Sequence, residues 1–258
     1  MPNDHRGASL GSFRSGLRAL VVGSQGGVGA AFVAALATSP QVGIVYAAAR
    51  HRTDAAVADQ SGKVVDCRID INDEPSIAAL AEQLRAQGPL DLVLVATGIL
   101  HAASALQPEK SWRQLDAESL AKSFQVNAIG PALVAKHLLD LLVQGHKSVF
   151  GALSARVGSI DDNRLGGWHS YRASKAALNM LLRTCAIELV RRNPTAICVS
   201  LHPGTVDTAL SKPFQTNVPQ GKLFTPEFAA TQLLQVVERL DVTANGGFFA
   251  WDGQQIPF

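Results

Sequence analysis

Cysteine is scarce: Cys67, Cys185 and Cys198 are the only three thiols in 258 residues. They are widely spaced and form neither a metal-ligand pattern nor a disulfide framework. No metal site is expected, and a reduced, cytoplasmic setting is. Aromatic residues are few, at 6%. An excess of either charge is also missing, with a formal net charge of +2. That leaves no strongly basic surface for nucleic acid or an anionic membrane. No apolar run reaches the roughly 18 residues of a membrane-spanning helix. Residues 1–17 are polar, with several Gly and Ser, and lack the apolar stretch of a signal peptide. They predict a loose tail ahead of one domain over 18–258, which no repeat, low-complexity block or linker divides.

What the chain does have is aliphatic: 47% of its residues are hydrophobic. Ala, Val and Leu dominate, as strands buried between two helical layers require. Strand-like runs fall at 20–22, 44–49, 64–69, 90–96, 148–153, 196–201 and 247–251. Helical segments alternate with them at 30–37, after Asn72-Asp73-Glu74-Pro75, at 119–142, 171–191 and 227–240. This alternation predicts an α/β fold, a single doubly wound parallel sheet. Residues 158–167 and 208–223 read as loops. Leu210, Pro213, Phe214, Val218 and Leu223 suggest that the second loop gives a pocket an apolar wall.

The first strand leads into Gly23-Ser24-Gln25-Gly26-Gly27-Val28-Gly29 and then a helix. Glycines there let the backbone turn tightly and approach a pyrophosphate, and the helix N-terminus presents N–H groups to it. With its strand and helix in place, the turn points to a Rossmann-type dinucleotide site. The second strand ends in Ala49-Arg50-His51-Arg52. An acidic residue there would hold a ribose 2′-hydroxyl, whereas arginines suit a 2′-phosphate. NADP(H) is therefore expected in preference to NAD(H); a solvated basic loop is the plainer alternative. Asp70 could accept from an adenine amino group or cap the next helix.

In Tyr171-Arg172-Ala173-Ser174-Lys175 the Tyr and Lys are i and i+4, on one helix face. A nearby ammonium favours the phenolate and brings a Tyr hydroxyl toward useful acid–base range. At these motifs the chain resembles the short-chain dehydrogenase/reductase family over nearly its whole length. Asn127, in Phe124-Gln125-Val126-Asn127, matches the family's helix asparagine, and His202-Pro203-Gly204-Thr205-Val206-Asp207-Thr208 its nicotinamide-side segment. Residues 154–160, Gly166-Gly167-Trp168 and the ending Trp251-Asp252-Gly253 resemble the C-factor and sniffer-type carbonyl reductase branch. The resemblance implies a catalytic set of Tyr171, Lys175, Asn127 and a serine. Asn127 would link Lys175 to solvent through water. Cofactor contacts are implied at Gly23, Ser24, Gln25, Gly27, Val28, Gly29, Arg50, Asp70, Ile71, Gly98, Lys175, Pro203, Gly204, Val206 and Thr208. It further implies a small carbonyl or alcohol substrate and a homodimer or homotetramer paired through residues 119–142 and 171–191.

Two departures stand out. Where the family carries Asn-Asn-Ala-Gly, this chain has Val95-Ala96-Thr97-Gly98. Where the branch carries Ser-Ser-x-x-Gly-Ser-Ile, it has Ser154-Ala155-Arg156-Val157-Gly158-Ser159-Ile160, so the catalytic serine position falls on Ala155. Ser154 is the expected substitute, although strand alternation aims neighbours at opposite faces. Arg156 and His169 are further candidates, each with an ordinary structural alternative. A dinucleotide-binding signalling or sensor protein with little catalysis is the rival to a hydride-transferring enzyme.

Overall fold

The computed structural model describes residues 9–51, 60–102 and 106–258. A seven-stranded sheet forms its centre, ordered β3-β2-β1-β4-β5-β6-β9, with every neighbouring pair parallel. The strands are β1 Leu17–Val22, β2 Val42–Ala49, β3 Val64–Arg68, β4 Leu92–Val95, β5 Ser148–Leu153, β6 Ala196–His202 and β9 Phe248–Ala250. A separate two-stranded ribbon joins β7 Thr205–Val206 to β8 Leu223–Phe224. The order reverses between β1 and β4, which opens a crevice at the strands' carboxyl ends.

Among the described residues, six α-helices cover the sheet: α1 Gly27–Thr38, α2 Glu74–Arg85, α3 Ala117–Phe124, α4 Gly130–Leu138, α5 His169–Leu189 and α6 Pro226–Arg239. On one face Ile77, Leu80, Val134, Leu138, Leu178 and Leu182 pack on Leu20, Val93 and Phe150. On the other, Phe32, Leu36, Leu233 and Val237 pack on Val21, Val45, Leu94 and Val199. The strands are thus apolar on both faces, which is why they read as continuous aliphatic runs. No helix among the described residues is long and apolar enough to cross a membrane.

Two expectations need correction. The stretch before β1 is not loose over its described part. Leu10 and Phe13 are buried in the α1/α6 core, and Arg14 pairs with the fully buried Asp91. Two apolar side chains within a polar stretch suffice to anchor it. The helix expected over 119–142 is also not one α-helix. A π-helical turn, Gln125–Ile129, interrupts it, α4 ends at Leu138, and a 3₁₀ turn follows over Leu139–Leu141.

Candidate functional site

A cavity of about 700 Å³ opens at the carboxyl ends of the central strands. One end is lined by Gly26, Gly27 and Val28; the walls include Gly98, Ser154, Tyr171, Lys175, Pro203, Gly204, Val206 and Thr208. The sheet order thus gathers residues from nearly the whole length of the chain. Gly23, Ser24, Gln25, Gly29, Arg50, Asp70, Ile71 and Asn127 lie outside its lining. Arg50 is exposed just past β2, and Arg52 lies outside the described residues.

The glycine turn is sterically determined. Gly23 has φ +86°, and a Cβ on it would stand 2.9 Å from Thr97 Cγ2. A Cβ on Gly29 would stand 2.1 Å from Gly23 O, so α1 approaches the turn as only glycine allows. Gly23 N and Ser24 N both donate to Ala48 O, at 2.8 and 3.2 Å, fastening the turn to β2. Gln25 Nε2 donates to His51 O and ties the turn to the segment that carries Arg50. No side chain caps α1, so the first-turn N–H groups receive no internal partner there. Asp70 Oδ1 accepts from Asn72 N at 3.0 Å, a local turn contact. Ile71 is buried against Gly130, whose Cβ would come within 3.0 Å of it.

Tyr171 and Lys175 occupy the first two turns of α5. Burial pushes the Tyr171 hydroxyl up to about 12 and the Lys175 ammonium down to about 7. Lys175 Nζ donates to Leu153 O at 2.7 Å and lies 6.0 Å from the centre of the Tyr171 ring. The expected lowering of the Tyr by the Lys is therefore not what dominates; desolvation moves the two groups' pKa values in opposite directions. Asn127, fully buried in the π turn, is consumed by backbone: Ile99 N donates to its Oδ1, and its Nδ2 donates to Ile99 O, each at 2.8 Å. Its Nδ2 also meets Ser174 Oγ at 3.1 Å. It fastens the segment after β4 to α5.

Leu153, Ser154, Ala155, Arg156 and Val157 all line the cavity. β5 ends at Leu153, but the chain stays extended through Ala155 before the 3₁₀ turn at Arg156–Gly158; Ser154 is buried and Ala155 half-buried. Arg156 is held by Asp162 at 2.8 Å. His169 lines a second, smaller cavity with Gly158, Ser159 and Gly167. Neither stands out as a donor beside Tyr171. Of the loop 208–223, Leu210, Phe214 and Val218 line the main cavity, and Pro213 and Leu223 do not.

Five described residues hold buried side-chain polar atoms without a hydrogen-bond partner: Arg18, Thr97, Ser154, Asn179 and His202. Three of the five, Thr97 Oγ1, Ser154 Oγ and His202 Nδ1, belong to cavity-lining residues. Leaving such atoms unpaired is costly, and three of these residues gather around the cavity. The His202 imidazole is pushed down to about 4, first by burial and then by the Arg156 charge, with Asp252 opposing. It is neutral at physiological pH.

Sequence reasoning missed His101, Glu109 and the role of Trp168. Trp168 stacks edge-on against Tyr171 and Phe214, with ring centres 6.3 and 5.1 Å apart, and His101 meets Phe214 at 5.7 Å. No local pattern reveals this cluster, because its members come from three separate segments.

Residues 18–219 match the short chain dehydrogenase family. The chain is 31% identical over 201 residues to 1-hydroxy-2-glutathionyl-2-methyl-3-butene dehydrogenase of Rhodococcus sp. (strain AD45), covering 78% of this chain and 83% of that one. It is 32% identical over 171 residues to C-signal of Myxococcus xanthus, covering 66% and 94%. Among solved structures, NADPH-bound carbonyl reductase from chicken fatty liver superimposes with a TM-score of 0.82 at 24% identity, covering 98% and 97%.

Proposed function

The chain belongs to the short-chain dehydrogenase family, and from that premise we propose that it transfers hydride between NADP(H) and a carbonyl or alcohol substrate. The observation that carries this reading is the shared cavity, which joins the glycine turn at one end to Tyr171 and Lys175 at the other. The residues present fit a dinucleotide: a glycine turn at one end of the cavity and an uncapped helix N-terminus behind it. Gly23 to Gly29 would cradle the pyrophosphate, with the turn at Asp70 and Ile71 on the adenosine side and Gly98 beside Lys175, where a Cβ would stand 3.7 Å from Nζ. Pro203, Gly204, Val206 and Thr208 would flank the nicotinamide. Arg50 would meet a 2′-phosphate, which favours NADPH over NADH.

The chemistry a bound nicotinamide supplies is hydride transfer to or from the substrate carbon. Tyr171 supplies the proton to the carbonyl oxygen, or removes it from the alcohol. Lys175 beside it favours the phenolate whenever it carries charge. Asn127 holds the segment after β4 against α5 and so keeps Lys175 in register. Ser154 serves as the second donor to the oxygen: its Oγ has no hydrogen-bond partner within the protein, the residue lines the cavity, and Ala155 has no hydroxyl. The walls at Leu210, Trp168, Phe214 and Val218 suit a substrate with an apolar body. The chain pairs with a second copy through α3, α4 and α5, where Ile129 of the intervening π turn and Met180 and Ile187 of α5 are exposed.

Ala155 at the expected serine position favours one other reading, a dinucleotide-binding signalling protein. NADPH consumption against a panel of aldehydes and ketones, with Tyr171→Phe as control, separates the two. Wild type should turn over at least one substrate, and the Phe variant should lose about 10²–10⁴-fold in kcat. With Tyr171 ionising near about 12, reduction should lose its proton source only as pH climbs toward that value. Alcohol oxidation should rise over the same interval. NADPH binding with no turnover of any carbonyl would leave the signalling reading standing, and normal turnover by Tyr171→Phe would sink the proton assignment.

A further inference from the structure

We propose that Glu109 is a positioning residue for the reacting end of the cavity: it caps α5 from outside the helix and holds Trp168 in a left-handed backbone, setting Tyr171 and the aromatic wall together. The proposal rests on the reading of Tyr171 as proton donor.

The helix that carries Tyr171 has no cap of its own. Its N-cap residue is Trp168, which has no side-chain oxygen to accept from the first turn. Ordinarily a Ser, Thr, Asp or Asn does this. Here a carboxylate does it from 61 residues away in sequence: Ser170 N donates to Glu109 Oε2 at 3.1 Å, and Ser170 Oγ donates to Oε1. A negative charge at a helix N-terminus also opposes the positive end of the helix dipole. Glu109 is only 3% exposed, an expensive place for a carboxylate unless donors meet it. Tyr171 directly follows the residue so gripped.

The same residue grips the backbone before the helix. Trp168 N donates to Glu109 O at 2.5 Å, and Trp168 O accepts from Arg172 N at 2.8 Å. Trp168 has φ +53°, the only non-glycine positive φ among the described residues, after Gly166 at +63° and Gly167 at +67°. A bulky residue stays in that region only where its surroundings over-determine it. The product of this constraint is the ring position: Trp168 lies edge-on to Tyr171 and Phe214, and all three line the cavity. One residue thus fixes the donor and the surface against which a substrate would rest.

The test compares Glu109→Ala, Glu109→Gln and Tyr171→Phe with wild type. Steady-state kinetics with NADPH and an accepted carbonyl are paired with hydrogen exchange read by mass spectrometry. A displacement of about 1 Å can cost on the order of 10²-fold. Glu109→Ala should therefore lower kcat by about 10- to 100-fold while the KM for NADPH stays within about twofold. Exchange should quicken at Ser170, whose N–H loses its side-chain acceptor, and in the first turn of α5 within residues 168–172, and not elsewhere. Glu109→Gln should recover most of kcat, because its amide oxygen can accept from Ser170 N and its NH₂ can donate to Ser170 Oγ. Wild-type kcat in the Ala variant would overturn the proposal. So would a Gln variant as impaired as Ala, or equal losses in kcat and NADPH binding with exchange raised throughout. If Glu109→Ala does not fold, the kinetic split and exchange of Glu109→Gln against wild type decide: wild-type-like values support positioning, and a defect spread over the whole chain overturns it. If Tyr171→Phe turns over normally, the proton assignment fails separately. The exchange arm still judges Glu109, and unchanged exchange at 168–172 overturns it.

Discussion

The two ends of the cavity are built by different means. The glycine end is backbone: its shape follows from what a Cβ would strike at Gly23, Gly27 and Gly29, all within seven consecutive residues. The reacting end is side chain: Tyr171 and Lys175 from α5, Ser154 after β5, His202 from β6, Phe214 from a loop and Trp168 held by Glu109. A backbone site tolerates no substitution but needs little support. A side-chain site can change one residue, as at Ala155, without rebuilding the backbone around it.

The sharpest way to break the backbone end is Gly29→Ala. Its Cβ would meet Gly23 O at 2.1 Å, and neither partner is a flexible side chain. NADPH affinity should fall more than about 100-fold, with a large drop in Tm, since a clash between main-chain atoms forces the turn open. Near-native NADPH binding in calorimetry would show that the turn has slack. At the side-chain end the corresponding probe is the serine pair. Removing one donor to a developing oxyanion costs about 10²–10³ in kcat. Ser154→Ala should show that loss, and Ala155→Ser should gain little. A harmless Ser154→Ala with an activating Ala155→Ser would move the donor site to position 155 and weaken the enzyme reading. The smallest effect is expected at the rim. Arg50→Ala should weaken NADPH binding about 10- to 100-fold, the worth of a charge-assisted phosphate contact, and leave NADH nearly unchanged. Tighter binding of NADH than NADPH by the wild type would remove the basis for that contrast.

The same contrast explains what could be read from the sequence. The parallel sheet, the glycine turn and the Tyr171–Lys175 face all follow from short-range rules, namely burial on both strand faces, steric need for glycine, and i,i+4 spacing. The buried stretch at Leu10 and Phe13 escaped notice because two apolar residues make no period. The π turn escaped because Gln125–Ile129 carries no composition that distinguishes it from α-helix. Glu109 was invisible for a different reason: its partners Trp168 and Ser170 are 59 and 61 residues away, and only the fold brings them together. The opposed displacements of Tyr171 and Lys175 depend on burial, which a spacing argument cannot supply.

The π turn at Gln125–Ile129 has a consequence for how this chain can change. Beyond it, α4 runs about one residue, or roughly 100°, out of phase with α3. The inward faces of the two helices are therefore not one continuous stripe, and Asn127 occupies the point where the stripe breaks. Deleting a single residue there would offer the chain a regular helix and better local hydrogen bonding. It would also rotate Asn127 away from Ile99 and α5. It would further swing Val134 and Leu138 of α4 off the core they fill, so the extra residue sets both the placing of Asn127 and the register in which α4 packs.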